Sequence, residues 1–289
     1  MTTRTLLTRV VPPLPRRWRG KYLIERNLMA TKAFWPVFLS GFFDPVFYLL
    51  AIGVGIGQLA GNVEVAGMEV DYAAFVAPAM LAASAMNGAI YESTNMFFKL
   101  KYGKIYDGVL STPLQARDVA TGEIAWSLAR GSVYSLAFLL VMGVMGLIHS
   151  PYGILAFPAS ILIGFAFGAA GVAATTYMRT WQDLDLVTLV TLPLFLFSAT
   201  FYPIDVYPEF IQVITWISPL YHGVVLIRGL TLGILEWTMV ITVAYLAAWG
   251  IVGSMITARR IGVLLLKERG PNLHGNRPAT KAVSEASDD

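Results

Sequence analysis

Residues Tyr91–Leu114, YESTNMFFKLKYGKIYDGVLSTPL, leave an apolar run, cross a basic patch and end at a Thr-Pro pair. Their flanks decide how they are read. Tyr72–Ile90 carries no charge, and Ile124–Ile148 is apolar except for Arg130. The stretch is therefore a polar connector between two helices of membrane length. Within it Tyr102, Ile105, Tyr106, Val109 and Leu110 recur at helical spacing, with Lys99, Lys101, Lys104 and Asp107 on the other face. That pattern predicts a short amphipathic helix over Lys99–Leu110, lying on a membrane surface or under another protein. Thr112 reads as the N-cap of the next helix, with Pro113 at the first helical position and Gln115 at the third, completing a capping box. An ordinary basic loop resting on lipid headgroups fits the same composition.

The rest of the chain places this connector in a membrane protein. Of 289 residues, 56% are hydrophobic and only 13% charged, about half the charged fraction of a soluble domain. Mean hydropathy is +0.62. Six apolar runs are long enough to span a bilayer: Phe34–Leu59, Tyr72–Phe98, Val119–Ile148, Tyr152–Met178, Leu186–Tyr202 and Trp237–Thr257. The first begins too far from the N-terminus for a cleavable leader. There is no cysteine, which excludes disulfides, thiol nucleophiles and Cys-ligated metals. The three histidines, His149, His222 and His274, stand apart and form no metal-ligand spacing. No P-loop pattern occurs, so ATP is not bound here through such a loop.

Basic residues set the orientation. With six alternating helices, 19 of the 21 Lys and Arg fall in segments on one side. The opposite loop, Ala60–Asp71, carries Glu64, Glu69 and Asp71 and no cation. The positive-inside rule then puts both termini in the cytoplasm. Ahead of the first span, Arg16–Ala33 mixes Trp18, Tyr22, Met29 and Ala33 on one face with six basic residues, as an amphipathic helix in the membrane plane would. The chain thus divides into an N-terminal segment 1–33, a transmembrane domain 34–258 and a polar tail 259–289. Pro203–Leu232 is apolar but broken by prolines and glycines. It reads as a re-entrant helical segment on the outer side, or as a flat external cap. The fold class is all-α integral membrane: six spans, an N-terminal interface helix and an outer re-entrant segment.

Asp44, Glu92, Glu123 and Arg130 are ionisable groups within the spans, and such groups are functional candidates. Glu92 and Arg130 lie at depths that allow pairing between neighbouring helices, as a structural ion pair or a proton relay. Asp44-Pro45 should kink its helix. Gly53-x-x-x-Gly57 and Gly164-x-x-x-Gly168 permit close helix packing.

These residues carry a family likeness. The run from Tyr91-Glu92-Ser93-Thr94 through Tyr106-Asp107 and Leu110-Ser111-Thr112-Pro113-Leu114 to Gly122-Glu123 resembles the connector after the second helix of ABC-2 type export permeases. Phe201-Tyr202-Pro203, Pro208, Ser218-Pro219-Leu220 and Arg228 resemble their pre-terminal signature. The likeness covers about Arg16 to Arg260, and is strongest to permeases of nodulation lipo-oligosaccharide and daunorubicin-type drug exporters. It implies a permease subunit in the cell membrane that exports an amphiphilic substrate. ATP and Mg would be bound by a separate nucleotide-binding ATPase subunit, with no cofactor and no catalytic residue on this chain. A second permease copy, identical or not, would complete the transporter; nucleic acid has no role. The resemblance makes Lys99–Leu110 a coupling helix, with Tyr102, Ile105, Tyr106, Asp107, Leu110, Thr112 and Pro113 meeting the ATPase. Phe201, Tyr202, Pro203, Trp216, Pro219 and Tyr221 would form an outer gate. The competing class is a secondary transporter driven by an ion gradient, which often shows inverted repeats; none is visible between the halves.

Overall fold

A computed structural model describes residues 19–32, 36, 43 and 46–267. Asp44 and most of the first expected span lie outside the described residues, as do the N-terminal 18 residues and the tail beyond 267. The described chain begins with α1 (Lys21–Thr31) and resumes with a π-helical stretch, Leu49–Ile56. A β-hairpin follows, β1 (Asn62–Val65) and β2 (Met68–Asp71), antiparallel with Asn62 opposite Asp71. Its two-residue turn, Ala66-Gly67, has φ of 50° and 78°, the double left-handed geometry that matches strand twist.

Next come α2 (Tyr72–Lys101), α3 (Ile105–Leu110), α4 (Ala116–Val144), α5 (Ala156–Thr175) and α6 (Asp183–Leu196). The chain ends in α7 (Glu209–Ile217), α8 (Pro219–Leu232) and α9 (Thr238–Lys267). Among the described residues, α2, α4, α5 with its leading 3-10 turn, and α9 are long and apolar enough to cross a membrane. The bent pair α7–α8 raises the number to five if counted as one span. Among the described residues the expected six spans are therefore not all seen, most of the first lying outside them. The run expected to span from Leu186 to Tyr202 forms α6, only 14 residues, or about 21 Å by the helical rise. Pro193 lies inside α6, which ends at Leu196, before the positive-φ turn at Ala199.

α2 is the axis of the bundle. Its 30 residues are rich in alanine and buried almost all round, the pattern of a helix enclosed by others. It packs against α4, α5 and α8. At the α2–α4 crossing a Cβ added to Gly88 would lie 2.8 Å from the Gly131 Cα, and one added to Gly131 would lie 2.9 Å from the Ala85 carbonyl. Only glycine at both positions allows this approach. The Gly164 and Gly168 pair serves the same end inside the chain, with Gly168 against Ser127 of α4.

The connector departs from its sequence reading in two ways. α2 runs through Lys99 to Lys101, and Lys104 turns the chain with a φ of 43° before α3. The next helix begins at Ala116, not Pro113. Its N-cap is Gln115, in a reciprocal box with Asp118. Thr112 instead accepts from the Leu114 N–H, closing a local turn, the alternative that Ser and Thr offer to helix capping. The region 203–232 is helical, and α7 meets α8 at 84°. Ser218 caps α8 with Pro219 at its first position.

Gly88→Ala tests the crossing. Helix propensity alone would favour alanine by about 0.5–1 kcal/mol, but the clash is with backbone and should destabilise by about 1–3 kcal/mol. Thermal unfolding in detergent should show a lower midpoint for Gly88→Ala and no loss for Gly108→Ala, whose Cβ would meet open space.

Candidate functional site

The Gly88–Gly131 contact sets α2 and α4 so close that polar groups one turn away must meet. Glu92 Oε2 lies 2.9 Å from an Arg130 terminal nitrogen, and Glu92 Oε1 lies 3.4 Å from Lys99 Nζ. Lys99 also reaches Glu123 Oε2 at 2.8 Å. Two carboxylates and two cations therefore alternate along one chain of ion pairs and balance to zero. Neutral hydrogen bonds complete it. The Tyr134 hydroxyl accepts from Arg130 Nε at 3.0 Å, and the amides of Asn95 and Asn27 donate to Glu92 and Glu123. The Arg130 guanidinium also stacks 4.1 Å from the Tyr91 ring. Glu92, Glu123 and Arg130 are all at most 5% exposed, so each charge depends on its partners.

The structure thus brings together three of the four membrane charges singled out from sequence. Lys99 and Asn27 join them. From the sequence, Lys99 falls on the face opposite the apolar stripe of a helix expected over Lys99–Leu110, but α2 continues through it to Lys101. Lys99 lies in the last turn of α2, where Glu92, two turns back, faces the same way.

The second correction concerns Tyr106, expected as a contact for another protein. It is 1% exposed and sits among Leu23, Met96, Leu100, Val119, Ala120 and Ile124. Its apolar ring closes this chain's own packing, and its hydroxyl finds no hydrogen-bond partner among the described residues. Ile105 is half-buried, while Tyr102, Thr112 and Pro113 are exposed. Of Asp107 and Leu110 only the backbone, within α3, is described; their side chains lie outside the described part. α1 joins the same cluster through Leu23 and Asn27, not the Tyr22–Met29 face; Met29 is 70% exposed. A Cβ on Gly122 would lie 2.9 Å from Leu23, so α1 seats on α4 at that glycine. Arg19 donates to the Pro113 carbonyl at 3.0 Å, tying the chain before α1 to the connector.

At the opposite end Arg228 of α8 is buried. Its Nε donates to the Phe75 carbonyl at 3.2 Å and a terminal nitrogen to the Ala199 carbonyl at 2.9 Å, with the guanidinium 3.9 Å from the Phe75 ring. It fixes the bent pair to α2 and to the turn after α6. Of the expected gate residues, Phe201 packs edge-on to Phe195 and its carbonyl accepts from Tyr72. Trp216 and Tyr221 have ring centres 5.7 Å apart, Pro219 starts α8, and Tyr202 is exposed beside Pro203. A single cation in a nearly uncharged stretch was the signal for Arg228. Among the described residues no group of His, Asp or Glu could hold a metal.

Comparison with known proteins gives this arrangement its context. A family model described as ABC-2 type transporter matches residues 20–232. The chain belongs to the ABC-2 type transporter family. It is 31% identical to Nodulation protein J of Rhizobium leguminosarum bv. viciae over 218 residues, 75% of this chain and 81% of that protein. Nodulation protein J of Sinorhizobium fredii (strain NBRC 101917 / NGR234) is 30% identical, over 76% of this chain and 82% of that protein. The inner membrane transport permease YadH of Escherichia coli (strain K12) is 23% identical over 70% and 78%. This ABC-2 chain is accordingly a multi-pass membrane transport permease, a transmembrane component rather than an ATPase. The matched segment begins at α1 and ends with α8, so it takes in both the charge cluster and the bent pair.

Two predictions follow from the geometry. Glu92→Gln or Arg130→Met leaves a buried charge unpaired and should cost about 3–5 kcal/mol, whereas the double change should cost much less than the sum. Unfolding of the three variants in detergent measures the coupling; strictly additive losses would contradict it. Tyr106→Ala should destabilise by about 3–5 kcal/mol through the cavity left, and by more than Tyr106→Phe, which keeps the ring.

Proposed function

We propose that this chain is the permease subunit of an ATP-driven exporter, moving an amphiphilic substrate out of the cytoplasm across the inner membrane. ATP and Mg are bound and hydrolysed by a separate nucleotide-binding subunit, and two permease copies form the path. Both termini lie in the cytoplasm. The family membership supports the subunit reading, and the similarity to YadH, an inner membrane transport permease, supports the location.

The observation that carries the reading is the connector. It stands at the basic end with Lys101, Tyr102, Lys104 and Ser111–Pro113 exposed, on a base held rigid by Tyr106, α1 and the charge cluster. A contact surface needs exposed anchors on a well-packed support, with aromatic and cationic residues at its centre. Tyr102 is 62% exposed although it is a large aromatic. In this reading Tyr102 and Lys104 touch the ATPase, while Tyr106, Ile105 and Asn27 transmit its position to α2 and α4. α1 is the interface helix beside it. Phe201–Pro203, Trp216, Pro219 and Tyr221 close the outer side.

The test uses the permease with its ATPase in proteoliposomes. Tyr102→Ala combined with Lys104→Glu should weaken co-purification of the ATPase by at least about tenfold and abolish ATP-dependent transport, with thermal stability unchanged. Wild-type coupling in that variant would remove the connector from the interface. Transport that proceeds without ATP and collapses with a protonophore would overturn the ATP-driven reading in favour of an ion-gradient transporter.

A further inference from the structure

A second feature lies away from the connector and the charge cluster. α6 has no buried residue, yet one of its faces is turned toward the bundle. Asp183, Leu186, Val187, Val190, Thr191 and Leu194 follow helical spacing and together line one wall of a cavity of about 830 Å³. The other walls come from α2, α5, α9 and the α7–α8 bend. From Asp183 to Leu194 this wall is about 16 Å long, and the volume falls within the range of ligand sites, about 300–1,000 Å³.

The cavity is apolar along its length and polar at one mouth. Ala170, Ala174, Val190 and Leu194 are on its walls, and the α7–α8 bend at Ile217–Pro219 closes the far end. The near mouth, at the basic end, carries Arg179, which is exposed. The Asp183 carboxylate beside it is engaged by the backbone N–H groups of Arg179 and Thr180 and by the Thr180 hydroxyl. Next to the same mouth Tyr177 lines the cavity, and Arg260 of α9 stacks 4.1 Å from its ring. Arg260 Nε is buried and has no hydrogen-bond partner among the described residues. A buried guanidinium N–H without an acceptor is costly; Arg260 meets the cavity only through the Tyr177 ring and does not itself line it. An apolar slot of this length with the exposed Arg179 guanidinium at one mouth, and a second guanidinium beyond the Tyr177 ring, matches an alkyl chain with an anionic head.

We propose that this cavity, within a single permease copy, binds an anionic phospholipid from the surrounding bilayer. One acyl chain occupies the slot between α5, α6 and α9, and the phosphate sits against Arg179 at the mouth. The bound chain supplies the packing that α6 lacks against the bundle. The inference rests on the permease reading only for the presence of a bilayer. It needs no ATP and no second copy, so binding measured on the permease alone can fail or succeed independently of ATP-driven export.

Native mass spectrometry of the detergent-solubilised full chain, titrated with phosphatidylglycerol or phosphatidylcholine of equal chain length, tests it. One phosphatidylglycerol should bind per chain, about fivefold or more tighter than phosphatidylcholine, as a head contact with a cation implies. Ala174→Trp and Val187→Trp fill the slot from opposite walls and should each weaken binding by more than about tenfold, since several methylenes lose their burial. Arg179→Gln should keep the chain but lose the preference for the anionic head, and Arg179→Lys should largely restore it. Glycerophosphoglycerol, the head without chains, should not compete. Quenching of Trp249, which lines the slot, by bromine-labelled phosphatidylglycerol reads the same occupancy in wild-type protein by difference from Trp249→Phe. Unchanged binding in a folded filling variant, absent Trp249 quenching, or equal affinity for both heads would overturn the proposal. Tight competition by the free head would also overturn it, by making the mouth an anion site with no place for a chain.

Discussion

The close crossing of α2 and α4 at Gly88 and Gly131 governs the basic half of this permease. With no side chain at either position, the helix backbones approach to where Glu92, Lys99, Glu123 and Arg130 must share one buried space. None of these groups could be buried singly at acceptable cost. Alternating along one path with zero net charge, they can be. The same arrangement specifies register, because a shift of one helix by a residue would break both ion pairs that cross between α2 and α4, Arg130–Glu92 and Lys99–Glu123. The cluster therefore does more to select one packing than to stabilise it.

Its reach extends beyond the two spans. Asn27 brings α1 to Glu123, Gly122 gives Leu23 its seat, and Tyr106 of α3 fills the remaining gap against both. Two segments that would otherwise lie separately on a membrane surface, α1 and α3, are joined to the bundle through one charge cluster and one apolar cluster. That is the structural basis for treating the connector as a rigid element. In the proposed reading, a push or pull on its exposed face would reach α2 and α4 through the cluster around Tyr106. At the far end Arg228 plays the corresponding role for the bent pair, holding it through two backbone carbonyls that no neutral side chain of that length could reach as well.

Much of this was legible in the residues. Apolar runs marked the long helices α2, α4, α5 and α9, and the depths of Glu92 and Arg130 along their helices indicated a pair. What sequence left unsettled has a common cause: periodicity shows which residues share a face, but not what covers that face. Tyr106 has the spacing of an exposed amphipathic stripe and is covered by Leu23, which lies more than eighty residues earlier. Lys99 follows a helix pattern that continued where a new one seemed to start. Thr112-Pro113 has the form of a helix start, yet Gln115 and Asp118 form the box, because the Thr112 hydroxyl closes a turn of its own. α6 was apolar enough to read as a span, but its helix ends at Leu196, after 14 residues.

The central claim is that the buried charge cluster holds α1 and the connector to the bundle as one unit. Hydrogen–deuterium exchange on the wild-type permease and on Glu123→Gln tests it most directly, since Glu123 is the carboxylate shared by Lys99 and Asn27. The account predicts that amides of residues 21–31, 105–110 and 116–124 lose protection together, while those of α5, α8 and α9 keep theirs. Loss confined to the residues around position 123, or an even loss across the whole bundle, would contradict it.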